Sequence, residues 1–191
     1  MNVWATGYNI YGQLGLDKDD KHIYSPEKLN LPAKIKKISA GNYHSLLLDT
    51  NDQVWACGLN YYRQLPIKHT GFIKKPQLCE GLPPIRQICA GYHLSTFVDV
   101  DGKVWKCGGD RKSALKLQEG LEGIRYAECT AHSIFLDSTG NVWVEGPNSE
   151  GQLGLAINHL LPDICPQKLA SLPELLVWEQ ERFQKTKSAR N

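Results

Sequence analysis

This sequence has no dominant charge. Its 22 lysines and arginines face 20 aspartates and glutamates, for a net charge of +2. No long-range field toward nucleic acid or an anionic membrane is implied, and no nucleic-acid partner is expected. No apolar stretch approaches the ~20 residues of a membrane-spanning helix. The chain opens on Val3-Trp4 without a charged leader or an apolar run, so no secretory signal is expected. There is no Cys-x-x-Cys, no His-Glu-x-x-His and no Gly-x-x-x-x-Gly-Lys loop, so neither a metal nor a cofactor is expected. Six cysteines are present, an even number that invites a disulfide reading. Cys57 and Cys107, however, each lie two residues past a tryptophan, at equivalent places in different repeats. Such positions are too far apart to bridge, since a disulfide needs Cα atoms within about 7 Å. The cysteines are read as reduced and the compartment as cytoplasmic or nuclear.

What the sequence does have is a repeat, seen most clearly from Ile38 to Leu65. Trp4, Trp55, Trp105 and Trp143 each follow a valine. Three residues past each stands a glycine (Gly7, Gly58, Gly108, Gly146), and ten past stands a leucine (Leu14, Leu65, Leu115, Leu153). Ten residues before the last three tryptophans stand Ser45, Ser95 and Ser133, and six before stand Asp49, Asp99 and Asp137. The tryptophans are 51, 50 and 38 residues apart, a period that marks solenoids, propellers or arrays.

Within a unit, Ile35 to Ala40 can form an inner strand and Ser45 to Leu48 a strand covered on both faces. After a turn, Val54 to Gly58 returns as a third strand. Asp101-Gly102 is the strongest hairpin signal. Each unit therefore yields three or four short strands in a meander, one blade of a propeller. The expected units are 1–34, 35–84, 85–123 and 124–173. The first is a half unit, and Pro26 and Pro32 mark its second part as an outer, edge-like segment. The segment between Leu115 and Tyr126 is cut short, which predicts a weak or missing outer strand, and Cys129 is read as replacing the glycine of Gly41 and Gly91. Over 174–191, capping-box spacing of Ser171 and Glu174 and an apolar stripe predict a short C-terminal helix and tail.

With Gly7 to Gly15 reading Gly-x-Asn-x-x-Gly-Gln-Leu-Gly, and Ala40-Gly41-x-x-His44-Ser45 preceding an apolar run and a turn, the chain resembles the regulator of chromosome condensation repeat family over residues 1–173. The resemblance implies an all-β, propeller-type fold of four-stranded blades. The best-known family members have seven blades, so this chain is expected to be incomplete, with about three to four. The resemblance also implies protein partners, among them small GTPases and components of the ubiquitin pathway. An incomplete ring leaves open strand edges, so self-association through an edge or through the C-terminal helix is expected.

The candidate residues follow from the repeat. Trp4, Trp55, Trp105 and Trp143 are expected core anchors, each worth at most ~4–6 kcal/mol if fully buried. Ser45, Ser95 and Ser133 recur too regularly for a nucleophile and are read as hydroxyls bonded to a neighbouring blade's backbone. His44 and His132 share a position that is Leu94 in another unit, and are read as buried structural histidines. The three aspartates are read as turn residues. No repeat-independent catalytic set stands out, so no enzyme activity is expected. Function is assigned to the loops that differ between units. Tyr61, Tyr62 and Arg63 form an aromatic-cationic cluster of the kind found in binding hot spots, and Asp110, Arg111 and Lys112 form a charged one. The expected role is a non-enzymatic protein-interaction scaffold, with guanine-nucleotide exchange on a Ran- or Rho-type GTPase as the alternative.

Overall fold

The computed structural model describes residues 2–109, 114–155 and 164–169. All regular structure in these residues is β-strand: β1 (Trp4–Tyr8), β2 (His22–Lys28), β3 (Ile35–Ala40), β4 (His44–Asp49), β5 (Val54–Leu59), β6 (Phe72–Leu78), β7 (Ile85–Ala90), β8 (Leu94–Asp99), β9 (Val104–Gly108), β10 (Lys116–Leu117), β11 (Ile124–Cys129), β12 (Ser133–Asp137), β13 (Val142–Gly146) and β14 (Ile164–Lys168). They form three four-stranded sheets, β3 to β6, β7 to β10 and β11 to β14, and one two-stranded sheet, β1 and β2. Every pairing is antiparallel and sequential, so each sheet is a meander. The outer strand shortened by the sequence is β10, two residues long, in the sheet that carries Trp105. The helix expected over 174–191 lies outside the described residues.

The sheets stack face to face, and the core lies between them. Leu46, Leu48 and Ala56 of one sheet meet Ile85, Ile88 and Phe97 of the next. Val98 and Val104 meet Ile124, Ala127 and Phe135 at the following junction. Leu29 and Val3 meet Ile35 and Leu47 at the preceding one. The near-continuous apolar runs in β4 and β8 follow from this, since both faces of those strands are covered.

The Trp-bearing strand of every blade has a glycine with positive φ at its last or next-to-last residue: Gly7 (114°), Gly58 (108°), Gly108 (97°) and Gly146 (111°). Gly58, Gly108 and Gly146 let the inner hairpin pass close. A Cβ on Gly58 would stand 2.4 Å from the Tyr43 carbonyl oxygen, and one on Gly108 would stand 2.3 Å from that of His93. No side chain fits at such distances.

Two readings of the repeat change. Ala40, Ala90 and Cys129 occupy matching register positions, opposite Ser45, Ser95 and Ser133. Thr130 therefore holds the glycine position, because the third inner hairpin is one residue shorter. The tryptophans are not the centre of the core. Trp55, Trp105 and Trp143 are half-buried at its margin, and Trp4 is 58% exposed. The fully buried large side chains are mostly aliphatic or phenyl, led by Phe97, Phe135 and Leu46, with His44 and Gln64 among them. The indole is held by its polar end instead, with Nε1 donating to the aspartate six residues earlier at 3.0 Å (Asp49), 2.9 Å (Asp99) and 3.1 Å (Asp137).

Candidate functional site: an aromatic rim

Each aspartate that holds an indole also ties the adjoining turn. Asp49 accepts from the backbone of Asn51 and Gln53 at 2.8 and 3.0 Å, and Asp99 from Asp101 and Lys103 at 3.0 and 2.8 Å. Burial alone would raise the Asp137 carboxyl, but hydrogen bonds from Asn141, Thr139 and Trp143 outweigh it and hold that group well below the usual range. These turns lie at one end of the strands, the end away from the variable loops.

At the opposite end, where β3 turns into β4 and β5 leaves the sheet, a second bonding set recurs. The Asn60 Oδ1 accepts the Leu65 amide at 2.8 Å, and the Gln64 Oε1 accepts the Tyr62 amide at 3.0 Å. Asn9 and Gln13 do the same for Leu14 and Tyr11, and Asn148 and Gln152 for Leu153 and Glu150. Asn and Gln stand five and nine residues past Trp in three of the four units. That signal was present in the sequence, but the loop role of these residues shows only once their amide partners are visible.

Between each Asn and Gln lies a three-residue tip: Ile10-Tyr11-Gly12, Tyr61-Tyr62-Arg63 and Ser149-Glu150-Gly151. The third tip residue is left-handed, with φ 76° at Gly12 and 74° at Gly151, and φ 57° at Arg63. An arginine in this region costs energy that glycine does not, which makes this tip the candidate to weigh for function.

The Tyr61-Tyr62-Arg63 tip joins two aromatic groups. Tyr61 meets Phe72 at 5.4 Å between ring centroids, Phe72 meets Tyr11 at 5.0 Å, and Tyr11 meets Tyr43 edge-on at 5.0 Å. On the other side Tyr62 stacks on His93 at 4.2 Å, and His93 meets Tyr92 at 4.4 Å. The result is a row of rings across three sheets, with Tyr61 50%, Phe72 41% and Tyr92 54% exposed. Burial lowers the His93 pKa, so its ring is read as neutral within the row. Arg63 lies beside the row and is half-buried; it makes no salt bridge among the described residues. Asp110, Arg111 and Lys112, the other expected loop cluster, lie outside the described residues.

The remaining candidates serve the junctions between sheets. The Ser45 hydroxyl donates to the Gln13 carbonyl of the preceding blade at 2.7 Å. Ser95 instead meets a side chain, the His44 Nε2, at 3.0 Å, and Ser133 meets the Lys106 Nζ at 3.4 Å. All three serines thus bond to a neighbouring blade, but only Ser45 bonds to its backbone. His44 is fully buried; burial, with the adjacent His93 adding to it, lowers its pKa to about 4. His132 differs from its repeat equivalent: it is half-buried, with Nδ1 3.4 Å from the Thr130 hydroxyl at the surface. Three surface lysines face acids: Lys36 pairs with Asp52, Lys74 with Asp19, and Lys75 with Asp17 at 3.9 Å. Among the described residues, no helix is long and apolar enough to cross a membrane.

Four-stranded meanders packed one on the next, with recurring bonding geometry and unlike loop tips, define a repeat protein of propeller type. The regulator of chromosome condensation (RCC1) repeat model matches residues 2–48 and 51–98, and a second model of the same repeat matches residues 35–64. The chain belongs to this repeat family. An RCC1 repeat-containing protein of Schizosaccharomyces pombe is 46% identical over 56 residues, 29% of this chain and 16% of that one. The secretion-regulating guanine nucleotide exchange factor of Mus musculus is 33% identical over 84 residues, 42% of this chain and 18% of that one. The crystal structure of Prp20p from Saccharomyces cerevisiae, a protein described with its binding to Gsp1p and histones, superposes with a TM-score of 0.78 at 20% identity. That match covers 90% of this chain and 47% of Prp20p, so the present blades span about half of that propeller. They span less than a fifth of either curated relative.

Proposed function

We propose that this chain is a non-enzymatic protein-interaction module whose binding surface is the aromatic rim centred on Tyr61, Tyr62 and Arg63. The observation that carries the reading is the row of rings from three sheets, half exposed and flanked by an arginine at positive φ that makes no salt bridge among the described residues. Tyrosine and arginine together are enriched in interface hot spots, and a patch of exposed rings is the kind of surface that partners cover.

The nearest approach to a catalytic pair supports the same reading. Ser95 and His44 stand 3.0 Å apart, as a nucleophile and base would. Both are fully buried, and no carboxylate reaches the other His44 ring nitrogen. With its pKa lowered to about 4, this histidine is a poor base at neutral pH. The contact is better suited to holding two blades together. Five of the six thiols are buried and no disulfide joins them, with the Cys89 and Cys129 sulfurs in contact at 2.7 Å; the proposed compartment is a reducing one, cytoplasm or nucleus.

Capture of bound proteins from a cytosolic extract tests this, comparing the wild-type chain with Tyr61→Ala and Tyr92→Ala, two exposed positions where folding is not at stake. Loss of the same partner in both variants is expected. Recovery equal to wild type in both would exclude the rim.

A second reading is favoured by one comparison, the 33% identity over 84 residues with a guanine nucleotide exchange factor. Exchange requires only contacts that prefer the nucleotide-free GTPase, and a loop rim can supply them. Release of a fluorescent guanine nucleotide from Ran- and Rho-type GTPases, with and without the chain, decides it. No acceleration across the panel removes exchange and leaves the scaffold.

A further inference from the structure

We infer that Cys89 and Cys129 form a two-electron modification site: hydrogen peroxide converts the pair to a disulfide that ties two neighbouring sheets together. The site does not depend on the aromatic rim.

The two thiols meet where β7 packs on β11. Their sulfurs stand 2.7 Å apart, closer than the ~3.5–4.0 Å at which unbonded heavy atoms settle. A disulfide bond of about 2.0 Å needs only a small further approach. The Cys129 amide also donates to the Cys89 sulfur, at 2.9 Å. The junction is held on both sides of the pair. The Gln87 Nε2 donates to the Ala127 carbonyl at 3.0 Å, and the Tyr92 amide donates to the Thr130 carbonyl at 3.0 Å. Cys57 and Cys107 differ, since each gives its S–H to a carbonyl of the preceding blade, Gln13 at 3.4 Å and Gln64 at 3.2 Å.

The repeat shows which half of this arrangement the fold requires. Cys89 stands opposite Thr96 at the register step where the other inner strands place Ser39 opposite Leu46 and Glu128 opposite Ile134. At the preceding junction the Ser39 hydroxyl accepts the Ala90 amide at 3.0 Å. Cys89 therefore does with sulfur what Ser39 does with oxygen: it accepts an amide of the next inner strand. The second sulfur has no such duty. Cys129 stands where the other sheets have Ala40 and Ala90, and alanine supplies the same amide. A thiol there in place of a methyl sets one sulfur against another. The two positions are one step apart in the repeat, so the separation that keeps Cys57 and Cys107 from bridging does not apply to them.

The surroundings set the rate. Cys89 is 4% and Cys129 7% exposed, which favours a small, uncharged oxidant. The hydrogen bond to Cys89 and burial push the Cys129 thiol up, while Thr96 and Lys106 nearby act the other way. The thiolate is the reactive form, so the pair rests reduced and oxidises slowly. One sulfur attacks the peroxide: the O–O bond breaks, an S–O bond forms, and a water leaves with that thiol's proton. The other sulfur then attacks the sulfenic acid. An S–S bond forms, the S–O bond breaks, and a second water carries away the remaining thiol proton. The two sulfurs lose two electrons in all, and the peroxide gains them.

The test treats the full 191-residue chain, carrying Cys165→Ser to remove the exposed thiol, with hydrogen peroxide. Free thiols are then alkylated in denaturant and the disulfides mapped by mass spectrometry. A linked Cys89–Cys129 peptide is expected, with two thiols lost and both restored by dithiothreitol. The unfolding midpoint of the oxidised chain should rise by about 5 °C or more. Cys129→Ala and Cys89→Ser each install the residue of another sheet at that position, so both should keep the fold and lose the link. Recovery of both cysteines alkylated, a link between any other pair, or sulfinic acid on either without a link would overturn the assignment. A link that leaves the midpoint unchanged or lower would also overturn it, by showing that the bond forms only when the junction opens.

Discussion

Arg63 separates stability from binding, because glycine at its position should improve one and harm the other. Its φ is 57°, and the equivalent residues Gly12 and Gly151 are at 76° and 74°. A left-handed residue with a side chain costs ~1–2 kcal/mol. Glycine relieves that cost but loses more freedom on folding, by ~0.5–1 kcal/mol. The net gain for Arg63→Gly is therefore about 0.5–1 kcal/mol, less any loss from the half-buried arginine stem. At ~2–4 °C per kcal/mol for a domain of this size, the midpoint should rise by roughly 1–4 °C. Scanning calorimetry at fixed protein concentration reads this directly. Partner capture, measured in parallel, should fall at least fivefold, because the charged side chain next in sequence to Tyr62 is gone. A lower midpoint would show that the φ of Arg63 is not strained. Capture equal to wild type would show that the arginine is retained for some other reason.

Three further outcomes are expected. The His44 pKa is lowered from 6.5 to about 4 by burial, so the unfolded state takes up this proton first. Stability is then full above pH 6.5 and falls by up to about 3 kcal/mol between 6.5 and 4; the smaller downward shift of His93 acts in the same direction. Urea unfolding across that range should show the slope, and His44→Leu should flatten it. Asp99 holds two turn amides and the Trp105 indole at 2.8 to 3.0 Å. Asp99→Ala should cost about 3 kcal/mol or more and Trp105→Phe about 1–2; equal losses would mean that the turn bonds contribute little. Five of the six cysteines are buried and Cys165 is exposed, and burial pushes the Cys57 thiol up to about 12. An aromatic disulfide reagent near pH 8 should therefore react promptly with one thiol, and Cys165→Ser should remove that phase.

The strands and their order were legible because each obeys a local rule. β-branched and aromatic residues alternate, Asp and Gly mark the hairpins, and the inner strands are apolar throughout. Other features depend on neighbours that no local pattern encodes. The valine-tryptophan step looks the same in all four units, yet Trp4 is 58% exposed and Phe97, not a repeat landmark, is fully buried. Burial there is decided by the adjoining sheet. Tyr61 and Tyr62 could be chosen from composition, but Tyr11, Phe72 and Tyr92 could not. They reach the same rim from other blades, and the Tyr11 to Phe72 contact spans 61 residues of sequence. The third inner hairpin is one residue shorter, so counting back from tryptophan reaches Cys129 where the strand register puts Thr130 at the glycine position.

The Asn and Gln pair of each loop explains how this scaffold can carry unlike surfaces. In the Tyr61-Tyr62-Arg63 loop, Asn60 also donates to the carbonyls of Ile67 and His69 at 3.3 and 2.7 Å, so it fixes the base of the tip on both sides. Gln64 and Asn60 are both fully buried, and their amide bonds are made to backbone groups, which every residue possesses. The identity of the three tip residues therefore enters the fold hardly at all. Ile10-Tyr11-Gly12, Tyr61-Tyr62-Arg63 and Ser149-Glu150-Gly151 can differ while the bonds beneath them keep nearly the same lengths. One position in each tip is not free, the left-handed third residue, and it is there that Arg63 departs from glycine. A departure from glycine at the one constrained site of an otherwise permissive loop is what the proposed binding role of Arg63 would account for.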